Sequence, residues 1–479
     1  MNSIWRDSVS LPNFPSLDGD KKTDVLVVGA GMAGILSAFF LQRSGLSVIV
    51  AEAGRVGGGV TENTTAKITS QHGLCYSKLI QEVGKEKAGQ YAMANQQAVE
   101  DYFDLISEQK IECDLQRKNA YLYTLNDPET AMTENFAAKQ LGLPSRFEPD
   151  LSLPFPTAGA VEFKNQGQFH PLKFVNALAK QLTIYENTRV ETIEEDTAFT
   201  ALGNICAKYI LITTHYPFIN VPGYYFMRMH QERSYVIALQ NAPGVNGIYI
   251  DMAQDGLSLR NYQNLLLLGG GAHRTGENHM GGNYQRLRQL AREYFPGSSE
   301  VAHWSAQDCM PIDQIPYIGT YAPTKPNWYV ATGFGKWGMT GSMVAAKLLC
   351  AQIIGKGSPY TEVYDPSRWN LKSAASNLMD EVGHAVQGLS STVVQLPKTK
   401  TDELPRGHGG IVEHNGRKAG VYKNDEGRLF VVSVRCPHMG CQLEWNPDEH
   451  TWDCPCHGSR FDYQGRVLNN PANRDLSES

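Results

Sequence analysis

The sequence predicts an α/β (α+β) protein: a Rossmann-like nucleotide domain carrying an inserted, mostly antiparallel sheet domain, then a small all-β domain at the C-terminus. Three observations predict it. Gly29-x-Gly31-x-x-Gly34 lies between an apolar strand pattern and an apolar helix pattern, and Glu52 closes the strand that follows. Two blocks, about 110–170 and 224–270, are rich in Tyr, Phe, Thr and Val with period-2 stretches. Past Leu404 the chain breaks into short strands split by Gly and Asp/Asn turns, and four of its nine cysteines crowd there.

In chain order, Val25–Val28 reads as a buried strand, 33–43 as a buried helix and 47–51 as the second strand of a β-turn-α-β unit. A polar-faced helical pattern covers 74–109, a helix covers 171–182, and strands return at 184–185, 189–193 and 208–213. Small and apolar residues from Met339 to Ile354 predict a further helix. Beyond Gly355 the chain is polar and interrupted by proline, with one amphipathic helix expected at 373–386 and a linker at 390–402. Strands at 411–412, 419–422 and 429–434 open the tail. The expected division is an extension (1–22), a large domain (23–355), a linker (356–403) and the tail domain (404–479). Within the large domain, nucleotide-binding parts fall at about 23–75, 171–222 and 300–355, and substrate parts at 76–170 and 223–299.

The 479 residues carry 43 basic and 49 acidic side chains, net −6, with no basic run to track phosphates, so nucleic acid is not an expected partner. The stretch 25–41 is uncharged, but its glycines fit a nucleotide turn better than a membrane span, and none is expected. The N-terminus lacks a basic stretch followed by an apolar one, which makes a cytoplasmic protein the expectation.

Gly29 permits the tight turn, Gly31 lets backbone approach a pyrophosphate, Gly34 lets helix meet strand, and Glu52 is placed for a ribose. Downstream, Arg55, Gly57-Gly58-Gly59 and Thr61 to Lys67, including Thr65 and Ala66, form a loop suited to a second, extended phosphate-flavin moiety. These segments resemble the FAD-dependent amino-acid and amine oxidases related to D-amino-acid oxidase, glycine oxidase and sarcosine oxidase. The resemblance covers roughly 20–355 and recurs at Ile210–Tyr216, Pro311–Gly319 and Trp328–Thr340. It implies noncovalent FAD, with Cys309 close to, yet out of line with, the cysteine some relatives use for flavin attachment. By the same resemblance Val190, Thr214, Gly333, Gly335, Lys336, Trp337, Gly338, Met339 and Thr340 join the cofactor set. Arg233, Tyr235, His273, Lys336 and Trp337 are the candidate catalytic residues, from their proximity to matched segments.

In the tail, Cys436-Pro-His438 and Cys454-Pro-Cys456-His457 offer a Cys and a His from each of two glycine-bearing loops. That pattern matches a Rieske [2Fe–2S] centre, with Cys436 and Cys454 on one iron and His438 and His457 on the other. A Cys2His2 zinc site is the alternative, against which the short Cys-x-His spacing counts. Cys441 and Cys456 resemble the disulfide that braces the cluster loops in respiratory and photosynthetic Rieske proteins. Ser459 falls where the high-potential subclass has a hydroxyl donor. Phe461 stands where that subclass has Tyr, which lowers the expected potential unless Tyr463 substitutes.

FAD and a cluster in one chain point to a converter between two-electron and one-electron transfer. The leading expectation is dehydrogenation of an amine or amino acid, with single electrons passed through the cluster to a quinone, ferredoxin or cytochrome. One alternative is an NAD(P)H-dependent reductase feeding a partner oxygenase, for which Gly269-Gly-Gly-Ala-His-Arg274 would have to be a second nucleotide turn. Another is a nonenzymatic redox sensor. Oxygenase activity is not expected, since no His-x-x-x-His segment with a carboxylate is present for mononuclear iron.

Overall fold

A computed structural model describes residues 3–368, 397 and 399–477. The helix expected at 373–386 and the start of the linker, 390–396, lie outside them. Packing divides the described chain into two units: 3–215, 234–272 and 284–368 form the first, and 216–233, 273–283 and the tail form the second.

At the heart of the first unit, Lys21–Val28 pairs in parallel with Val48–Ala51 on one side and Gly203–Ile212 on the other. Thr183–Tyr185 and Lys325–Thr332 extend this parallel sheet, and Tyr317–Ala322 closes one edge antiparallel. Val25, Leu26, Val27 and Val28 are all buried, as expected of a strand covered on both faces. Helix Met32–Arg43 packs against helix Gly338–Ile353; both are built of small and apolar residues and both are largely buried. Gly34 sets that helix's distance from the sheet, because a Cβ there would lie 1.9 Å from the Gly29 carbonyl oxygen.

A nine-stranded sheet runs in the order Ser299–Pro311, Met229–Gln240, Leu265–Arg274, Ser258–Tyr262, Ile248–Asp251, Gln116–Thr124, Gly159–Gln168 and Lys67–Ile68, with Ser145–Glu148 paired to Gly159–Gln168. Two features depart from the expected antiparallel blocks. Ile248–Asp251 pairs in parallel with Gln116–Thr124. Residues Pro128–Gln140 form a helix whose signal was present in the sequence: Asp127 caps it by accepting from the Thr130 amide at 3.0 Å, with proline at the first helical position. The helical stretch 74–109 is realised as Tyr76–Glu108, broken at Gly84, where φ is +83°. Pro171–Ala179 starts at another proline, with His170 as its cap.

The tail folds into a three-stranded sheet, His408–His414, Arg417–Lys423 and Leu429–Val432, and a four-stranded one, Glu444–Asn446, Thr451–Asp453, Arg460–Asp462 and Val467–Asn469. His414 and Arg417 face each other across Asn415-Gly416, both at positive φ (52° and 77°), the two-residue turn whose twist suits a hairpin. Its core gathers Val432, Leu443, Trp452 and Phe461.

Candidate functional site

The first unit carries the nucleotide turn. Gly29 has φ +103°, and a Cβ on it would meet the Thr213 carbonyl oxygen at 2.8 Å, so glycine is required there. Gly31 caps the helix that starts at Met32, whose amide donates to Thr61 Oγ1 at 3.0 Å. First-turn amides are those a helix cannot satisfy itself, which suits them to a pyrophosphate. Glu52 accepts from the amides of Ala30 and Gly54, both at 2.7 Å, and burial raises its pKa. Arg55 is held by Glu186 at 3.0 Å and the Pro12 carbonyl at 3.1 Å, and Gly58 donates to the Arg55 carbonyl at 3.0 Å. A Cβ on Gly59 would meet nothing, so the loop has open space beside it. Val190 is buried in the strand that leads toward Thr197–Thr200, and Thr214 follows the end of Gly203–Ile212. The turn geometry, the acidic Glu52 beside it and the open loop fit an FAD nucleotide.

Lys67 is half-buried, donates to Thr65 Oγ1 at 2.9 Å and Ser258 Oγ at 3.3 Å, and follows Ala66 at φ +54°. Burial and then the nearby Arg260 push its ammonium down to about 7, with Asp308 opposing. Arg260 is itself 1 % exposed, and none of its three guanidinium nitrogens has a hydrogen-bond partner among the described residues. Its guanidinium sits 5.3 Å from the Trp5 ring centre, and burial lowers its pKa to about 9. A buried guanidinium without a partner beside a half-buried ammonium that it repels is an arrangement suited to an anion. The loop pattern predicts Lys67 beside the flavin, and no motif spacing in the sequence points to Arg260. The signal was its place in strand Ser258–Tyr262, where residues 258, 260 and 262 share one face and a charge interrupts a buried pattern.

Trp337 stacks on His72 at 4.8 Å, and Thr340 Oγ1 donates to the Thr69 carbonyl at 3.1 Å. Gly333 and Gly335 adopt φ of 70° and 55°, turning the chain into the helix at Gly338 and Met339, and Gly335 donates to the Cys309 carbonyl at 2.9 Å. Lys336 is exposed on that turn. Cys309 is buried, which holds its thiol well above the usual range. Tyr235 is fully buried, edge-on to Tyr284 at 4.9 Å, in an apolar core. Arg233 and His273, expected beside the substrate, belong to the second unit. Arg233 is buried in a two-pronged ion pair with Glu449, and His273 Nδ1 bonds the Arg274 carbonyl at 2.7 Å. Gly269–Gly271 lie inside strand Leu265–Arg274, paired antiparallel with Ser258–Tyr262, so this glycine cluster is not a strand-to-helix nucleotide turn.

In the second unit the two Cys/His loops share one backbone pattern. Cys436 N donates to the Cys441 carbonyl and Gly440 N to the Cys436 carbonyl; Cys454 N donates to the Ser459 carbonyl and Gly458 N to the Cys454 carbonyl. Gly440 and Gly458 take φ of 81° and 78° to close these turns. A disulfide joins Cys441 to Cys456 across the loops, leaving Cys436 and Cys454 as buried thiols. The sulfur of Cys454 lies within 4.8 Å of both disulfide sulfurs, but those two are already bonded to each other and only Cys454 of the three retains a thiol. Cys436 and Cys454 share a hydrogen bond; with the Ser459 hydroxyl and the His438 and Met439 amides it brings Cys436 down to about 7 despite burial, while Cys454 is held high. The rings of His438 and His457 stand 5.0 Å apart and nearly perpendicular. His438 Nδ1 is buried without a hydrogen bond among the described residues. Two thiols, two imidazoles and an orphaned ring nitrogen fit the donor set of a Rieske [2Fe–2S] cluster.

Segments 216–233 and 273–283 meet these loops. His438 Nε2 lies 2.9 Å from Asn220 Oδ1, and Phe226 stands edge-on to His438 at 6.1 Å and to His457 at 5.7 Å. Gln231 donates to the His457 carbonyl at 2.7 Å, and Arg274 to the Pro455 carbonyl at 3.1 Å. Tyr463 is packed on Tyr422 and Phe430, and Phe461 is in the tail's core. Among the described residues no helix is long and apolar enough to cross a membrane.

Comparison with known proteins bears on both units. The family model described as FAD dependent oxidoreductase matches residues 24–352, and the Rieske [2Fe-2S] domain model matches 395–478. The chain is 36 % identical to Bacillus subtilis YhfW, whose name gives a Rieske 2Fe-2S iron-sulfur protein, over 99 % of this chain and 97 % of that one. A cytochrome b6-f complex iron-sulfur subunit 2 of Trichormus variabilis is 32 % identical over 29 % of this chain and 71 % of its own. Glycine oxidase from Geobacillus kaustophilus shares the fold with TM-score 0.62 and 19 % identity, over 73 % of this chain and all of its own. L-proline dehydrogenase from P. horikoshii does so with TM-score 0.61 and 16 % identity, over 73 % and 98 %.

Proposed function

The chain belongs to the FAD dependent oxidoreductase family and ends in a Rieske [2Fe-2S] domain, and from this premise we propose that it dehydrogenates an amine or amino acid at the C–N bond and delivers single electrons to an external acceptor. That acceptor is a quinone, ferredoxin or cytochrome, and the setting is the cytoplasm. The observation that carries the reading is the joining in one chain of the nucleotide turn at Gly29–Gly34 and the twin Cys/His loops. When bound, FAD supplies two-electron oxidation of a C–H beside nitrogen, and the cluster supplies one-electron transfer.

The chain's own residues do the rest. Gly29, Gly31, Gly34 and Glu52 hold the nucleotide without covalent attachment, with Thr61, Thr65 and Ala66 along the loop. The Gly333–Thr340 turn, with Trp337, forms a wall. Cys436, His438, Cys454 and His457 hold the cluster, and the Cys441–Cys456 disulfide fixes the loop spacing. Buried Arg260 and half-buried Lys67 together favour a substrate bearing a carboxylate, hence an amino acid over a simple amine: an anion there offsets the two cations. Such an anchor fixes the C–H by orientation rather than by proton transfer.

The test is anaerobic mixing of the purified holoprotein with primary, secondary and N-methyl amines and amino acids, and separately with NADH and NADPH, while flavin absorbance is followed. Bleaching by an amino acid and none by NAD(P)H is expected. Rapid bleaching by NAD(P)H alone would replace this reading with a reductase.

A further inference from the structure

The imidazole edge of the twin loops is not left to solvent. His457 is 7 % exposed and His438 is half-buried, and the covering residues come from the chain's own segment 216–233. A neutral imidazole has one N–H and one lone-pair nitrogen, and a carboxamide oxygen can only accept. The contact of Asn220 Oδ1 with His438 Nε2 at 2.9 Å therefore places the ring proton on Nε2. Nδ1, which is buried and without a hydrogen bond among the described residues, is left as the lone-pair nitrogen. A ligating histidine generally donates its second N–H to such a partner, which fixes the tautomer and strengthens the ligand. Here the partner comes from 218 residues upstream in sequence.

The surroundings hold the contact in place. Phe226 meets both imidazoles edge-on. Gln231 spans the His457 and Asn470 carbonyls, at 2.7 and 2.9 Å. A Cβ on Gly458 would lie 2.5 Å from the Gln231 side chain, and one on Gly276 would lie 2.6 Å from the Pro455 nitrogen, so both glycines are needed for this closeness.

We propose that Asn220 is a positioning residue for the cluster, accepting the Nε2–H of His438, and that segment 216–233 closes the imidazole edge to outside ligands. An external acceptor then takes its electron at another face. The proposal rests on the ligand assignment of His438 and on nothing about the substrate.

The experiment uses the holoprotein and its Asn220→Ala and Asn220→Asp variants. Pulsed EPR of the reduced wild type reads nitrogen coupling and tests the ligand assignment by itself. A carboxamide acceptor makes the imidazole a stronger donor to ferric iron, so the midpoint potential is expected to rise in Asn220→Ala and to fall in Asn220→Asp, which only accepts and carries charge. A soluble quinone that can accept a hydrogen bond, added to the reduced protein, is expected to leave the wild-type cluster EPR spectrum unchanged and to shift it in Asn220→Ala, where the Nε2–H of His438 has lost its acceptor. Loss of the cluster in the Ala variant with retention in Asp supports the same role. Nitrogen coupling with equal potentials in all three proteins, a rise in both variants, or a wild-type spectrum shifted by the quinone as much as that of Asn220→Ala overturns the proposal. Absence of nitrogen coupling overturns the ligand assignment instead.

Discussion

The cluster loops and the paired cations differ in how they are assembled. Each loop is local: within six residues a Cys, a His, a positive-φ glycine and two backbone hydrogen bonds define the site, and the second loop repeats the first. Lys67 and Arg260 lie far apart in sequence, with three strands between theirs in the sheet order, and they come together where the Lys67 ammonium reaches Ser258 Oγ at 3.3 Å on the strand that carries Arg260. A local site can be read from spacing; a site assembled from distant strands cannot, since each member alone looks like an ordinary charge.

The largest effect expected concerns the local site. Cys454→Ser removes a thiolate that no neighbour replaces, because Cys441 and Cys456 are bonded to each other. The variant should lose the cluster's EPR signal entirely while keeping its flavin absorbance. Retention of the signal would break the contrast, since another residue would then be a ligand.

Next comes the nonlocal site. Arg260→Met should lower kcat/KM for an amino-acid substrate by about a hundredfold, the order expected for about 2–3 kcal/mol of charge-assisted hydrogen bonding, and spare the matching decarboxylated amine. Equal losses on both substrates would show that Arg260 does not meet a carboxylate.

Lys67 gives a pH signature. Its folded pKa is depressed to about 7 from 10.5, so between those values the unfolded chain binds a proton that the folded chain does not. Stability of the ligand-free protein therefore rises with pH over that window. Thermal unfolding from pH 7 to 10 should show this rise, and Lys67→Met should flatten it; an unchanged slope would place the ammonium in a solvated setting.

The smallest effect tests the fine tuning of the cluster. Phe461→Tyr adds a hydroxyl where the high-potential subclass has one, and should raise the midpoint potential by on the order of 60 mV, equivalent to about 1.4 kcal/mol for one electron. An unchanged potential would mean that the new hydroxyl finds another partner.

The same contrast governs how much could be read in advance. Strand 25–28, the glycine turn, the helix after it and the tail's short strands follow from local periodicity and turn chemistry, and the structure has them. The helix at Pro128–Gln140 was missed although its Asp-Pro start is a local signal, because the surrounding aromatic and β-branched residues dominated the reading. Arg233 and His273 are expected at the site from nearness in sequence to matched segments, and the strand ends that carry them belong to the second unit, where Arg233 pairs with Glu449. No spacing rule could pair Asn220 with His438 or Arg274 with Pro455, since those contacts depend on where the tail folds back.

The central claim is that both centres serve one reaction. Its most direct test is an anaerobic titration of the holoprotein with less than one equivalent of the amino acid that bleaches the flavin, with the cluster's EPR spins counted at each addition. The account predicts spins that rise in step with substrate added and are absent in Cys454→Ser. Flavin bleaching in proportion to the substrate added, with the cluster oxidised and EPR-silent throughout, would contradict it.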